Sequence, residues 1–174
     1  MTHKSPPPIL SFEMKPVLLL AALAAMMTVP AALSSDTPGD GTLSVKRGRG
    51  MVAIKFRGTV IGRLANGNVR IRDFHPLDGN DPQFLGCKKL RPVTFTTTLC
   101  QGKKISFRAL DGRYNVTLRG SGIFLSVVGK GSVTIDGTGD LGLADGQMSW
   151  NNGPYESLPD FPTSYMLAAP QPGG

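Results

Sequence analysis

The hydrophobic pattern of the chain is clearest between Met51 and Ala65. Even positions there are apolar or glycine, whereas charged side chains fall only on odd positions. A period of two is typical of a strand with one buried face. Because Gly58 and Gly62 keep to the alternation, we expect one long strand that bends where side chains are missing. The expected inward residues are Val52, Ile54, Phe56, Gly58, Val60, Gly62 and Leu64.

The same pattern occurs twice, in residues 43–73 and again in residues 105–136. Both copies open on an apolar residue, a serine, another apolar residue and a basic residue, and both continue into a long alternating stretch. Similarity at a fixed spacing indicates an internal duplication. The matched glycines are Gly50 with Gly112, Gly58 with Gly120 and, after a two-residue insertion, Gly67 with Gly131.

Each copy predicts an antiparallel meander of three strands. The turns are expected at 49–50 and 66–67 in the first copy, and at 111–112 and 130–131 in the second. Asn-Gly and Asp-Gly between alternating residues are strong hairpin signals. The predicted fold is therefore all-β: two duplicated three-stranded antiparallel meanders with long bent middle strands, packed as a small barrel or sandwich. Glycines 58 and 120 should both mark bends on the concave side of one sheet.

Length and composition favour one domain. A chain of 174 residues with 40% hydrophobic residues can build one sizeable core. We expect a single β domain over 43–158, with one candidate strand, 93–99, between the two copies. The chain from 159 to 174 resembles an extended or disordered tail.

The N-terminus predicts export. An apolar run, Val17 to Leu33, follows Lys15 and ends in small residues, as in a secretory signal peptide over 1–34. An uncleaved membrane anchor is the open alternative, since the run is near the minimum length for a span. Translation from Met1 or from Met14 also stays open. A polar linker, 35–42, follows, and the expected location is secreted or at the cell envelope.

The expected location indicates the oxidation state of the two cysteines. Cys87 and Cys100 are an even pair in a chain expected to leave the cytosol, so they predict a disulfide. The chain holds two histidines, and no Cys and His spacing suits a metal. We therefore expect neither a metal nor a cofactor.

The charge distribution suggests a partner. Residues 43–73 and 88–119 each carry eight basic residues against one acidic residue, whereas the acidic residues concentrate after Arg119. An outward basic patch attracts anionic polymers. The simpler alternative is a solvated sheet face. The candidate binding residues are Arg47, Arg49, Lys55, Arg57, Arg63, Arg70 and Arg72.

Other functional classes have less support. Nucleic-acid binding on a β platform needs outward aromatics, but Phe56, Phe107 and Tyr114 fall on inward positions. Catalytic motifs are lacking, and His75 is the one histidine beyond the signal segment. The sequence thus favours a non-enzyme.

Two short elements, Arg57 to Arg63 (RGTVIGR) and Gly153 to Pro159 (GPYESLP), resemble uncharacterised exported Gly-rich β proteins of actinobacteria. The resemblance implies export and an all-β fold. Our leading hypothesis is an exported, non-enzymatic β-domain that binds anionic envelope polymers or surfaces through its basic face. The alternative is a protein–protein interaction or assembly module at the envelope, with an uncharacterised enzyme as a third possibility. A membrane contact is expected only through an uncleaved signal segment.

Overall fold

The computed structural model describes residues 39–138 and 145–170, and all regular structure within them is strand. The predicted signal peptide, with its cleavage and start-site alternatives, lies outside the described residues. The strands are β1 (Gly41–Asp73), β2 (Gln83–Thr94), β3 (Thr97–Asp136), β4 (Gln147–Trp150), β5 (Glu156–Ser157) and β6 (Thr163–Leu167). The all-β prediction is confirmed. Because β1 begins at Gly41, the last two residues of the predicted linker belong to the domain.

The strands form one antiparallel sheet. Its order is β2-β3-β1-β4-β5, and β6 pairs with β3 beside this path. The path has two ends, so the sheet is not a closed barrel. Most pairing joins β1 to β3, which are 33 and 40 residues long. These two strands therefore position every other element.

The two copies of the repeat pair with each other. Residues 51–58 of β1 lie between two segments of β3, 112–119 on one side and 129–136 on the other. In the reciprocal arrangement, residues 66–73 of the first copy pair with 114–121 of the second. The third segment of each copy thus joins the long segment of the other copy. The predicted meanders, in which each copy folds back on itself, are wrong.

The predicted turns are wrong for a related reason. A two-residue hairpin of type I′ needs a positive φ at both central residues. Gly67 and Gly131 have φ values of 142° and 157°, whereas Asn66 and Lys130 are absent from the positive-φ residues of the described chain. These glycines continue an extended strand, since each is paired on one side with the other copy and on its other side with a further segment of the sheet.

Glycines form two rows across the sheet. Strand pairing places Gly58 opposite Gly129 and Gly120 opposite Gly67, so the structure equates Gly67 with Gly129 and the two-residue insertion is unnecessary. A Cβ at Gly58 would lie 2.1 Å from the Val128 carbonyl oxygen, and one at Gly120 would lie 2.1 Å from the Asn66 carbonyl oxygen. Glycine is therefore required by close backbone approach. The rows are Gly112, Gly58, Gly129 and Gly41, and Gly50, Gly120, Gly67 and Gly102.

The predicted alternation holds in the core. The five inward side chains of the first copy are each 4% exposed or less, while Lys55, Arg57 and Arg63 are exposed. Phe107 and Tyr114 are also buried, as expected from their inward positions. The two copies contribute residues to one hydrophobic cluster. The buried side chains of the first long segment are Val52, Ile54, Phe56, Val60 and Leu64.

The segment between the copies is a hairpin. The candidate strand 93–99 is wrong, because β2 ends at Thr94, a turn covers 95–96 and β3 begins at Thr97. The turn at 95–96 lies in a hydroxyl-rich run and contains neither Gly nor Pro, so the sequence carries no turn signal there. Cys87 and Cys100 form the predicted disulfide, with a Cα separation of 5.3 Å. It joins β2 to β3 across the hairpin, rather than joining a strand to a loop.

The C-terminal part completes the sheet. β4 pairs with the start of β1, and it contains the only tryptophan of the chain. Residues 163–167, expected in a disordered tail, form β6 and pair with Gly131 through Ile135 of β3. Leu167 explains why this strand forms, since its side chain is 1% exposed and anchors the strand in the core.

Candidate functional site

The glycine rows divide the outer face of β1 and β3 into two halves. Residues paired directly across antiparallel strands lie on the same face, so the register shows which outward side chains are neighbours. We call residues 51–57, 68–73, 113–119 and 130–136 the basic half. We call residues 42–49, 59–66, 103–109 and 121–128 the groove half. The hairpin formed by β2 and β3 extends beside both halves.

Three cations lie side by side in the basic half. Arg57 is paired with Arg113 on one neighbouring segment and with Lys130 on the other. Like charges directly opposite one another destabilise a sheet. No carboxylate of the described residues forms a salt bridge with Arg57 or Arg113. This arrangement is poorly explained by stability, and it is suited to holding an anion.

An aromatic ring supports the same cluster. The guanidinium carbons of Arg72 and Arg113 lie 4.8 and 5.1 Å from the centre of the Phe74 ring. Cation–π contacts of this kind orient arginine side chains. Phe74 and both Lys55 and Arg57 line a shallow cavity of about 270 Å³.

A second polar cavity continues the basic half toward the hairpin. Its volume is about 560 Å³, and it carries three arginines, Arg70, Arg91 and Arg119. Amide and hydroxyl side chains also line it, and no acidic residue among those that the structure describes does so. Arginine is suited to planar recognition of carboxylate and phosphate. The amides and hydroxyls are Asn68, Gln101 and Thr117.

The groove half differs in composition. A groove of about 1010 Å³ crosses it, with apolar side chains at positions where alternation elsewhere places charges. Ile61 is 54% exposed and Leu85 is 74% exposed, and both line the groove. Aromatic rings complete the apolar surface, with Phe84, Phe124 and Tyr155 among the lining residues.

Three cations border the groove, and each is held by a neighbour. The Lys46 ammonium lies 3.7 Å from the centre of the Tyr155 ring, and the Arg63 guanidinium lies 4.3 Å from that of Phe124. Arg108 donates a 2.9 Å hydrogen bond from Nε to Oε1 of Gln83. Within residues 39–138 and 145–170, no acidic residue lines the groove.

The seven predicted binding residues are divided between the halves. The structure brings Lys55, Arg57, Arg70 and Arg72 together in the basic half and places Arg63 in the groove. Arg47 and Arg49 lie beside a register shift that follows Val45, where the Arg49 backbone N–H donates to the Asp145 carbonyl.

Sequence reasoning missed Arg113, Arg119 and Lys130 as members of the basic half, and it missed Arg91 in the cavity that continues this half. The duplication contained a signal for Arg119, because it matches Arg57 in the repeat. Only the pairing between copies, however, places the two sets of arginines on neighbouring segments.

The described residues also bear on catalysis and metal binding. Among the described residues, no group of three or more His, Cys, Asp or Glu side chains is placed to hold a metal ion. The described lining of the three cavities above includes neither a carboxylate nor His75. Within 39–138 and 145–170, no helix is long and apolar enough to cross a membrane.

Comparisons with protein-family models, with curated proteins and with solved structures gave no match.

Proposed function

We propose that this protein is an exported, non-enzymatic β-domain that binds an anionic polymer of the cell envelope through its basic half. The observation that carries the proposal is the row of Lys130, Arg57 and Arg113 across three neighbouring segments. Within this row, the directly opposed guanidinium groups of Arg57 and Arg113 cost folding stability, and a bound polyanion would remove that cost. The two shallow cavities extend the cationic surface on the same face.

The location in this proposal rests on sequence and on chemistry. The apolar run before residue 34 has the composition of an export signal. A disulfide between Cys87 and Cys100 persists in an oxidising compartment. Anionic polymers outside the cytosol, such as cell-wall phosphates and acidic glycans, are the partners that this charge pattern fits.

The test compares two double variants that remove the same net charge. R57Q/R113Q changes the basic half, and K88Q/K104Q changes exposed lysines of the hairpin that line none of the three cavities. Binding to beads that carry long-chain polyphosphate should fall about 30-fold for R57Q/R113Q, at about 1 kcal/mol per cation near an anionic surface. The hairpin control should stay within about threefold of the parent, since its charges act only at a distance.

Salt dependence supplies the second measurement. The slope of log affinity against log salt concentration should become shallower by about two for R57Q/R113Q, one for each lost ion contact. Equal losses in both variants would show a general charge effect and would contradict a localised site.

A second function is favoured by β2. This strand lies at the edge of the sheet, and Leu90 and Val93 on it are 56% and 46% exposed. An exposed edge offers unpaired backbone groups to a partner strand. Binding of an envelope protein through β2 would survive high salt, and L90K/V93K would abolish it, whereas R57Q/R113Q would not.

A further inference from the structure

We propose that the groove half binds one single-chain fatty acid, with the acyl chain along the apolar walls and the carboxylate between Arg63 and Arg108. This site is separate from the basic half and does not depend on polymer binding. The groove volume of about 1010 Å³ lies at the upper end of the range of small-molecule sites.

The outward apolar side chains indicate the chain-binding part. Ile61 and Leu85 expose more than half of their surface on a face that otherwise carries charges. Strand pairing places Ile61 beside Ser126 and Arg63 beside Phe124, so the exposed Ile61 and the half-buried Phe124 are diagonal neighbours on two segments. An acyl chain would remove these groups from water, and this burial of apolar surface would favour binding.

The cations indicate the headgroup. Arg63 is paired with Ser106, and Arg108 lies two residues further along the same strand. Diagonal neighbours at this spacing are within reach of long side chains. Arg108 uses Nε for Gln83, which leaves its two terminal nitrogens for another acceptor. Since the described part of the chain contributes cations and no acidic residue to the lining, the charge of the groove complements an anion.

The backbone argues against a peptide as the occupant. Residues 60–63, at the centre of the groove, are paired on both sides, with 106–109 and with 124–127. A bound β-strand would find few free N–H and C=O groups there, although main-chain hydrogen bonds supply much of the affinity in strand addition. A fatty acid needs only apolar contact and an ion pair.

The experiment is calorimetric titration of the full chain with decanoate and laurate, both below their micelle concentrations. One molecule should bind per chain, and laurate should bind about 15-fold more tightly than decanoate, at about fourfold per buried methylene. Dodecylammonium, with the same chain and a positive head, should not bind at the groove. The N-terminal apolar run is present in every variant, so differences between variants report on the groove.

Two variants and one control complete the test. I61E should weaken laurate binding at least about tenfold by placing a charge on the apolar wall, and R63Q/R108Q should do so by removing the ion pair. K88Q/K89Q removes the same charge as R63Q/R108Q from exposed positions of β2 that do not line the groove, so it should leave laurate binding unchanged. Retained thermal unfolding midpoints would show that I61E and R63Q/R108Q are folded.

Several outcomes would overturn the proposal. These are the absence of saturable laurate binding, equal binding of dodecylammonium, and laurate binding that is unaffected by both groove variants. Preferential binding of an acidic peptide, or a dimer that I61E converts to a monomer without any laurate site, would assign the groove to a different occupant.

Discussion

The basic half and the groove half are formed by the same two strands, with the same pairing and the same alternation, yet their outer surfaces have different chemistry. Inward positions are equally apolar in both, as Ile54 and Val60 illustrate at 1% and 0% exposure. Outward positions carry Arg57 and Arg113 in one half and Ile61 and Phe124 in the other. The inward positions therefore determine the sheet, and the outward positions are free to carry function.

The largest expected effect is on the free energy of unfolding, and it concerns one of the two glycine rows that separate the halves. Gly58→Ala would place Cβ 2.1 Å from the Val128 carbonyl oxygen, at a residue with a φ of 145°. We expect a loss of about 4 kcal/mol in the free energy of unfolding, because strain and overlap act together. Chemical denaturation measures it.

The matched control is Gly79→Ala. Gly79 has a φ of 82°, but a Cβ there meets nothing within 4 Å. It should cost about 1 kcal/mol from backbone strain alone. If the two variants lost the same free energy, close strand approach would not be the reason for the row.

The disulfide should give the next largest effect. The hairpin that it crosslinks carries Leu85 of the groove and Arg91 of the cavity that continues the basic half. C87S/C100S should cost about 3 kcal/mol, on the chain-entropy estimate for a loop of this length. Hydrogen exchange should show the greatest loss of protection in 83–109. An equal loss of protection across β1 would mean that the hairpin does not unfold as a separate unit. Both halves would then depend on the hairpin equally.

A buried tyrosine distinguishes the core beneath the basic half. The Tyr114 hydroxyl shares its single proton between the carbonyl oxygens of Asn80 and Leu110, at oxygen–oxygen distances of 3.0 and 2.9 Å. Burial, with a smaller contribution from Asp73 and other nearby carboxylates, raises the pKa of Tyr114 to about 12 from 10.0.

A raised folded-state pKa means that the folded state holds this proton more tightly than the unfolded state does. The stabilisation is fully present below pH 10.0 and is lost as pH rises toward about 12. Y114F should cost about 1 to 2 kcal/mol at neutral pH through the lost hydrogen bonds. It should also reduce the fall in stability between these pH values. An unchanged alkaline profile in Y114F would show that another group causes the fall.

Much of this architecture could be predicted from the sequence. The period of two identified the buried face, and the repeat identified Gly58 and Gly120 as equivalent positions. Strand pairing could not be predicted, because Asn66-Gly67 is a local hairpin signal, whereas the duplication offers each segment an equally complementary partner in the other copy. Local signals and alternation do not distinguish these two pairings.

The dependence on strand pairing also explains why the candidate site could be predicted only in part. Four of the seven predicted cations share the basic half, but their neighbours Arg113 and Arg119 come from the other copy. The groove had two sequence signals, since Ile61 and Phe124 each interrupt the alternation with an apolar outward residue. Which side chains surround Phe124 depends on pairing, so the groove could not be assembled from the sequence.

The smallest expected effect compares the halves directly. Because Arg57 and Arg113 are directly opposed like charges, R57Q/R113Q should raise the free energy of unfolding by about 0.5 kcal/mol at low salt. The gain should shrink as salt screens the repulsion in the parent protein. R63Q/R108Q removes the same charge from the groove half, where Arg63 contacts Phe124 and Arg108 bonds to Gln83, so it should bring no gain. Denaturant titrations of both variants at low and high salt measure the difference. A gain of equal size in R63Q/R108Q would mean that net charge, rather than the opposed arginine pair, limits stability.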